Sequence, residues 1–350
     1  MQRSRRRAAR AASGTLLLAC ALALTGCSLV GGDPGPVETS AAATVVPVEE
    51  PATAPLRGTP VAAGTTSGPS LAAKIDNHED ARPQLGLERA DIVFEELVEG
   101  GLTRYVAVWQ SDVPDLIGPV RSIRPMDPDI ISPLGGIVAY SGGQEQFVEM
   151  MRDTPVFNAV HGDDGTDDTF FRADDRESPH DVMARAAELV AEHRGLEAPT
   201  QQFDYSTGAA DSTAGVAGTP TSSLDLVFSD ARFPSWSWDE TAGAFLRSQE
   251  GSPDFDAQQA QLAATNVVTL RVDEVYDYDA EVPRAVLVAS GEAWVSTGGR
   301  TVHATWSKDA AASPIRLADD QGAAVLLAPG ATWVELVPLS GDVTVVAPSA

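Results

Sequence analysis

Charged side chains set in or beside apolar runs are the first residues in this chain whose types could do chemistry. They are Asp76, Asn77, Arg82, Glu95, Glu96, Glu99, Arg104, Arg121 and Arg124. An arginine fork offers parallel N–H donors that suit a carboxylate or a phosphate. Such a cluster reads in two ways. It lines a pocket for an anionic or glycan-like ligand, or its arginines pair internally with the glutamates and fix strand geometry. The ligand-binding set read from the cluster is Asp76, Asn77, Arg82, Glu96, Arg104, Arg121 and Arg124, joined by His180. If Asp91–Val98 is a regular strand, Glu95 and Glu96 face opposite sides, and Glu99 shares the side of Glu95.

A second pattern surrounds Ser141. A strand over Ile137–Tyr140, a Gly142-Gly143 turn and a following helix resemble a degenerate nucleophile elbow, with Ala139 where the first glycine belongs. Asp163 or Asp164 and His180 follow in the order of an α/β-hydrolase triad. The chain lacks the alternating strand–helix series of that fold, so a plain glycine turn is the expected reading and Ser141 stays a weak nucleophile candidate. The histidines are His78, His161, His180, His193 and His303. None shows H-x-H or H-E-x-x-H spacing. The acidic segment His161–Asp168 lacks the alternating ligands and closing glutamate of a calcium loop. No metal site and no cofactor are expected. Trp236, Trp238, Trp294, Trp306 and Trp333 gather late in the chain, where packing is their usual use and sugar stacking another.

Cys27 carries the most specific chemistry. Arg3, Arg5, Arg6, Arg7 and Arg10 form a basic leader, an apolar stretch runs from about Thr15 to Leu24, and Leu24-Thr25-Gly26-Cys27 closes it. That tetrapeptide matches a bacterial lipobox, so residues 1–26 read as a signal peptide cut before a lipid-modified Cys27. The apolar stretch is short of the ~20 residues a spanning helix needs. The chain has two cysteines; Cys20 leaves with the leader and Cys27 takes the lipid, so no disulfide or thiol chemistry is expected in the mature protein. The formal charge of −26 falls to −31 once the five leader arginines are gone. That acidity argues against nucleic acid and other polyanions as partners. The expected partner is the membrane, through the lipid anchor, together with a cell-wall component or envelope protein on its outer, extracytoplasmic face.

The elements that must position these residues follow from composition and period. Residues 27–70 are rich in Pro, Gly, Ala and Thr and read as a flexible tether. Leu71–Asp76, Asp91–Val98, Thr103–Trp109 and Gly136–Tyr140 read as strands, with a hairpin turn at Glu99–Leu102. A helix follows Gly143 through Phe147 to Met151. Another is expected from Ser178 as N-cap, with Pro179 and Asp181 in its first turn, His180 at its second position, and Gly195 at its end. Residues 71–205 thus form a mixed α/β domain. Residues 206–223 read as a linker or insertion. Residues 224–348 read as a smaller, mainly antiparallel β domain with no long helix. The fold class is α+β.

Several ordered motifs resemble the YerB-like family of bacterial lipoproteins. They are Lys74-Ile75-Asp76-Asn77-His78, Ala81-Arg82-Pro83-Gln84, Ala90–Glu95, Val98–Arg104, Ile117–Pro125, Ser141-Gly142-Gly143, Phe171-Arg172 and Ser178-Pro179-His180. Trp238-Asp239, Leu246-Arg247, Asn266-Val267-Val268, Trp306-Ser307-Lys308 and Gly330–Trp333 continue the pattern, so the resemblance spans nearly all of Leu71 to Pro338. It implies a two-domain envelope lipoprotein whose biochemical activity is not established. It also implies His-x-Asp after Gly251, where this chain has Asp254-Phe255-Asp256. The function expected is binding of a partner protein or wall component, a muropeptide carboxylate for example. The alternative is hydrolysis of wall glycan or ester bonds.

Overall fold

The computed structural model describes residues 52–62, 66 and 68–349. The leader, Cys27 and the tether up to residue 51 lie outside the described residues. Among those described, no helix is long and apolar enough to cross a membrane.

The central strands are β1 (Leu71–Asp76), β2 (Ile92–Leu97) and β3 (Thr103–Trp109), and every residue in them is buried. Burial on both faces explains why they read as continuous apolar runs rather than alternating ones. β2 and β3 form an antiparallel hairpin closed by Glu99–Gly101, where Gly100 and Gly101 take positive φ. β1 pairs antiparallel with β3 and parallel with β4 (Ile137–Tyr140), which is parallel to β5 (Phe157–Val160).

The second sequence segment supplies β6 (Ser223–Val227), β7 (Ser235–Asp239), β8 (Ala244–Gln249), β9 (Asn266–Asp279), β10 (Ser290–Thr297), β11 (Arg300–Ser307), β12 (Thr332–Pro338) and β13 (Asp342–Val346). β9, β10 and β11 form an antiparallel meander. β12 lies between β9 and β2, parallel to both. One twelve-stranded sheet therefore runs through strands of both segments. A six-stranded sheet built on β6, β7, β8 and β13 covers one of its faces, burying Trp236 and Phe245 against Tyr105, Val267 and Trp333. Helices α1 (Asp127–Ile131) and α2 (Glu145–Arg152) cover the other face, where Ile130, Ile131, Phe147 and Met151 meet Ala72, Val106 and Val138. Sheet dominates, and α2, at 8 residues, is as long as any helix among the described residues.

The structure departs from expectation in several places. Residues 178–181 are not a helix start. Val182–Arg185 is a strand between Phe170–Arg172 and Leu116–Ile117, and α3 (Ala186–Glu192) begins only after it. Two flanking strands satisfy its backbone, and pairing outweighs the helical spacing of Val182, Ala186 and Leu189. His180 accordingly sits in a loop, its N–H donating to the Glu177 carbonyl. Residues 206–223, expected as linker or insertion, are ordered on the sheet. A short helix, Thr213–Ala217, is capped by Ser212 Oγ, which accepts from the Gly215 N–H, and Thr219–Pro220 extends the sheet beside β11. At the other end, part of the expected tether forms a hairpin, Ala52–Thr53 with Pro60–Val61, that buries Ala54 and Leu56.

Candidate functional site

Alternation along β1, β2 and β3 sends the charged residues to two opposite faces, and each face builds its own network.

The face under the smaller sheet is closed. Arg247 of β8 is fully buried and reaches across to Glu95 Oε2 at 2.6 Å, and it also pairs with Asp254. The rings of Tyr105, Trp236 and Trp333 surround its guanidinium, with centroids 5.5, 5.9 and 5.2 Å away. Thr103 Oγ1 donates to Glu95 Oε1 at 2.6 Å and accepts from Asn77 Nδ2 at 2.8 Å. Asn77 Oδ1 in turn accepts from Arg82 Nε at 3.1 Å. Trp236 Nε1 donates to Glu335 Oε1 at 2.7 Å, and burial together with the Glu95 charge holds the Glu335 carboxyl well above the usual carboxylate range. Asn77 and Glu95 are thus spent inside an internal ion-pair network, as is most of Arg82. Asp254 is a structural anchor there, and Asp256 accepts the Gln258 and Ala260 N–H groups.

The face under α1 is closed at its centre and open at one end. Lys74, fully buried, pairs with Glu96 and with Asp127 Oδ1 at 2.8 Å. Burial pushes its ammonium down to about 8. Asp127 Oδ2 also accepts the Arg124 N–H at 2.6 Å, so Glu96 and Asp127 form a closed knot. Beyond it lie three arginines. Arg124 Nε donates to Glu99 Oε2 at 2.7 Å. Glu99 therefore serves the Glu96 face and not that of Glu95: it follows the end of β2 in a helical turn, where strand parity no longer holds. Arg121 Nε lies 3.0 Å from Asp76 Oδ2 without the alignment of a hydrogen bond, while its Nη1 donates to the Pro179 carbonyl. Arg104 sits between Asp76 and Glu96 in strand register, yet among the described residues it has no carboxylate within ion-pairing distance; its Nη1 donates to the Ser122 carbonyl at 2.8 Å. Burial, then the Arg124 and Arg121 charges, push the Arg104 guanidinium down to about 9.

At the open end Asp76 becomes a hub. Its Oδ2 lies 2.6 Å from His180 Nδ1, and its Oδ1 accepts the His78 N–H at 3.1 Å. The His78 and His180 rings stack with centroids 4.5 Å apart. His180 and Arg82, with Asp80, Pro83, Asp175, Arg176, Glu177 and Ser178, line an open polar cleft of about 490 Å³. Arg176 ties its walls by donating to the Ala81 and Pro83 carbonyls at 2.7 and 2.5 Å.

The structure thus brings Asp76, Arg104, Arg121, Arg124 and His180 together, and separates Asn77 and Glu95 from them. Ser141 is not joined to a triad. Its N–H donates to the Arg121 carbonyl, Asp163 is paired with Arg152, and the carboxylate orienting His180 is Asp76. Trp236, Trp306 and Trp333 are core residues. Sequence reasoning missed Lys74, Asp127 and Arg247. Arg247 carried a signal: Phe245, Arg247 and Gln249 occupy the inward positions of one alternating strand. Asp127 carried none, because only the tertiary fold sets it over Lys74.

A large mixed sheet flanked by a smaller sheet, with a polar hub at the end of β1, defines the class of structure. A family described as "Protein of unknown function (DUF3048) N-terminal domain" matches residues 56–199, and the corresponding C-terminal domain matches residues 224–334. The chain belongs to this family. It is similar to the protein named "Putative lipoprotein YerB" of Bacillus subtilis (strain 168), 24% identical over 306 residues that span 81% of this chain and 86% of that protein. A crystal structure of YerB from Bacillus subtilis has the same fold, with a TM-score of 0.73 over 84% of this chain and 99% of that one, at 24% identity.

Proposed function

We propose that the protein is a lipid-anchored envelope protein that binds a partner protein or wall component outside the membrane, using the open end of the Arg104 face and the adjoining cleft. The observation that carries this reading is Arg104. The acids around it are committed to Arg121, Arg124, Lys74 and His180, which leaves a buried guanidinium beside like charges and, among the described residues, without a counter-ion in contact. A buried cation in that state favours an incoming anion. Wall peptides carry free carboxylates of that kind, and the mixed charges of the cleft suit a ligand that also bears ammonium groups. The lipobox at Cys27 and the name of the Bacillus subtilis relative support the anchor.

The test is crosslinking and capture from native membranes with the full-length protein. Arg104→Ala and Arg121→Ala should abolish capture while keeping the native circular dichroism spectrum. If both variants fold and still capture the same partner, the ligand-binding reading fails. Cys27→Ser should move the protein from the membrane to the soluble fraction; a variant that stays membrane-bound removes the anchor from the proposal.

A further inference from the structure

We propose that His78, His180 and Asp80 bind a divalent transition-metal ion of the zinc class, with open coordination positions facing the cleft. One ring nitrogen of each histidine and a carboxylate oxygen of Asp80 lie within 4.8 Å of one another. No local motif announces them. His78 and Asp80 come from the turn after β1, and His180 comes from the loop before Val182.

The surroundings are those of a metal-ligating histidine. His180 Nδ1 is held at 2.6 Å by Asp76 Oδ2, which leaves Nε2 as its ligand atom. A carboxylate behind the second ring nitrogen fixes the tautomer and ring orientation and raises ligand basicity. Arg121 lies against the same Asp76 oxygen, so the supporting carboxylate is itself held in place. His78 Nδ1 and Asp80 Oδ2 are 3.4 Å apart. Ligands at about 2.0–2.1 Å from one tetrahedral ion stand about this far from each other. The loops that carry them are fixed by Arg176 on the Ala81 and Pro83 carbonyls and by Arg121 on the Pro179 carbonyl. His78 Nδ1 accepts the Asp80 N–H at 3.2 Å, a bond that coordination through this nitrogen would release. The His78 side chain is 30% exposed, so solvent metal can reach it.

Two imidazoles and one carboxylate form a borderline donor set that suits zinc and its neighbours over calcium or magnesium. Three protein ligands leave a position for water or a ligand carboxylate. Asp80 and His180 both line the cleft, where Asp80, Asp175 and Glu177 outweigh Arg82 and Arg176 by one charge, a lining that admits a cation. The inference goes beyond the ligand reading and does not depend on it, because ion binding needs no wall component.

The test is calorimetric titration of Zn²⁺ into the metal-stripped full-length protein in detergent. One equivalent should bind. His78→Ala and His180→Ala should each abolish that binding, Asp76→Asn should weaken it by about 10–100-fold, and His303→Ala should leave it unchanged. NMR of the wild-type protein provides a readout that needs no variant: Zn²⁺ should shift the ring resonances of two of the five histidines, and those two should be His78 and His180. The absence of stoichiometric binding, binding retained in either histidine variant, or shifts on other histidines would overturn the proposal.

Discussion

Two arginines with similar burial have opposite surroundings. Arg247 is enclosed by Glu95, Asp254 and three aromatic rings. Removing it strands two buried carboxylates, so Arg247→Met should cost ~3–5 kcal/mol, read from urea unfolding. Arg104 lies between Asp76 and Glu96 in register but makes no ion pair among the described residues, and the Arg124 and Arg121 charges act against it, so Arg104→Met in the same assay should cost much less. Equal losses would mean that Arg104 is a structural residue. Glu274 gives the pH prediction. Burial, followed by the charge of Asp273, pushes its carboxyl from the ordinary 4.5 to about 7. The fold therefore holds this proton more tightly than the unfolded chain does. The stabilisation is fully present below pH 4.5 and is lost as pH rises through about 7. Glu274→Gln should flatten that part of the wild-type melting profile; parallel profiles would refute the assignment.

Among elements, the central strands were legible because burial on both faces makes them continuous apolar runs. The Glu95/Glu96 alternation was legible for the same geometric reason. The Val182–Arg185 strand was not, since a short apolar run fits helix and strand alike until its pairing partners are known. The hairpin Ala52–Val61 was hidden by composition, for small residues and prolines read as tether until Leu56 is seen packed with Val268 and Leu327 in one core cluster. Leu56→Ala should therefore cost ~2–5 kcal/mol in thermal or chemical unfolding. A loss of under half a kcal/mol would return the segment to the tether.

The whole molecule joins its two sequence segments through β12, which pairs with β9 of its own segment and with β2 of the other. The Arg247–Glu95 bridge crosses the same junction, linking residues 152 apart in sequence. Neither segment completes the twelve-stranded sheet by itself. Calorimetric unfolding of the full chain should therefore show one cooperative transition, and two resolved transitions would mean the segments are independently stable.

What the sequence determined by itself was local: the tetrapeptide Leu24-Thr25-Gly26-Cys27 with its lipobox pattern, the strand periods, and the set of charged residues placed among apolar ones. These follow from side-chain chemistry and from a repeat of two or 3.6 residues. The tertiary structure decided which charges meet. It put Glu96 in a knot with Lys74 and Asp127, left Arg104 with no acid in ion-pairing distance among the described residues, and set His180 against Asp76 across 104 residues of sequence. The physical reason is that ion pairing depends on distances of a few ångströms between strands and loops, and local periodicity fixes a side chain's face without fixing what stands opposite it.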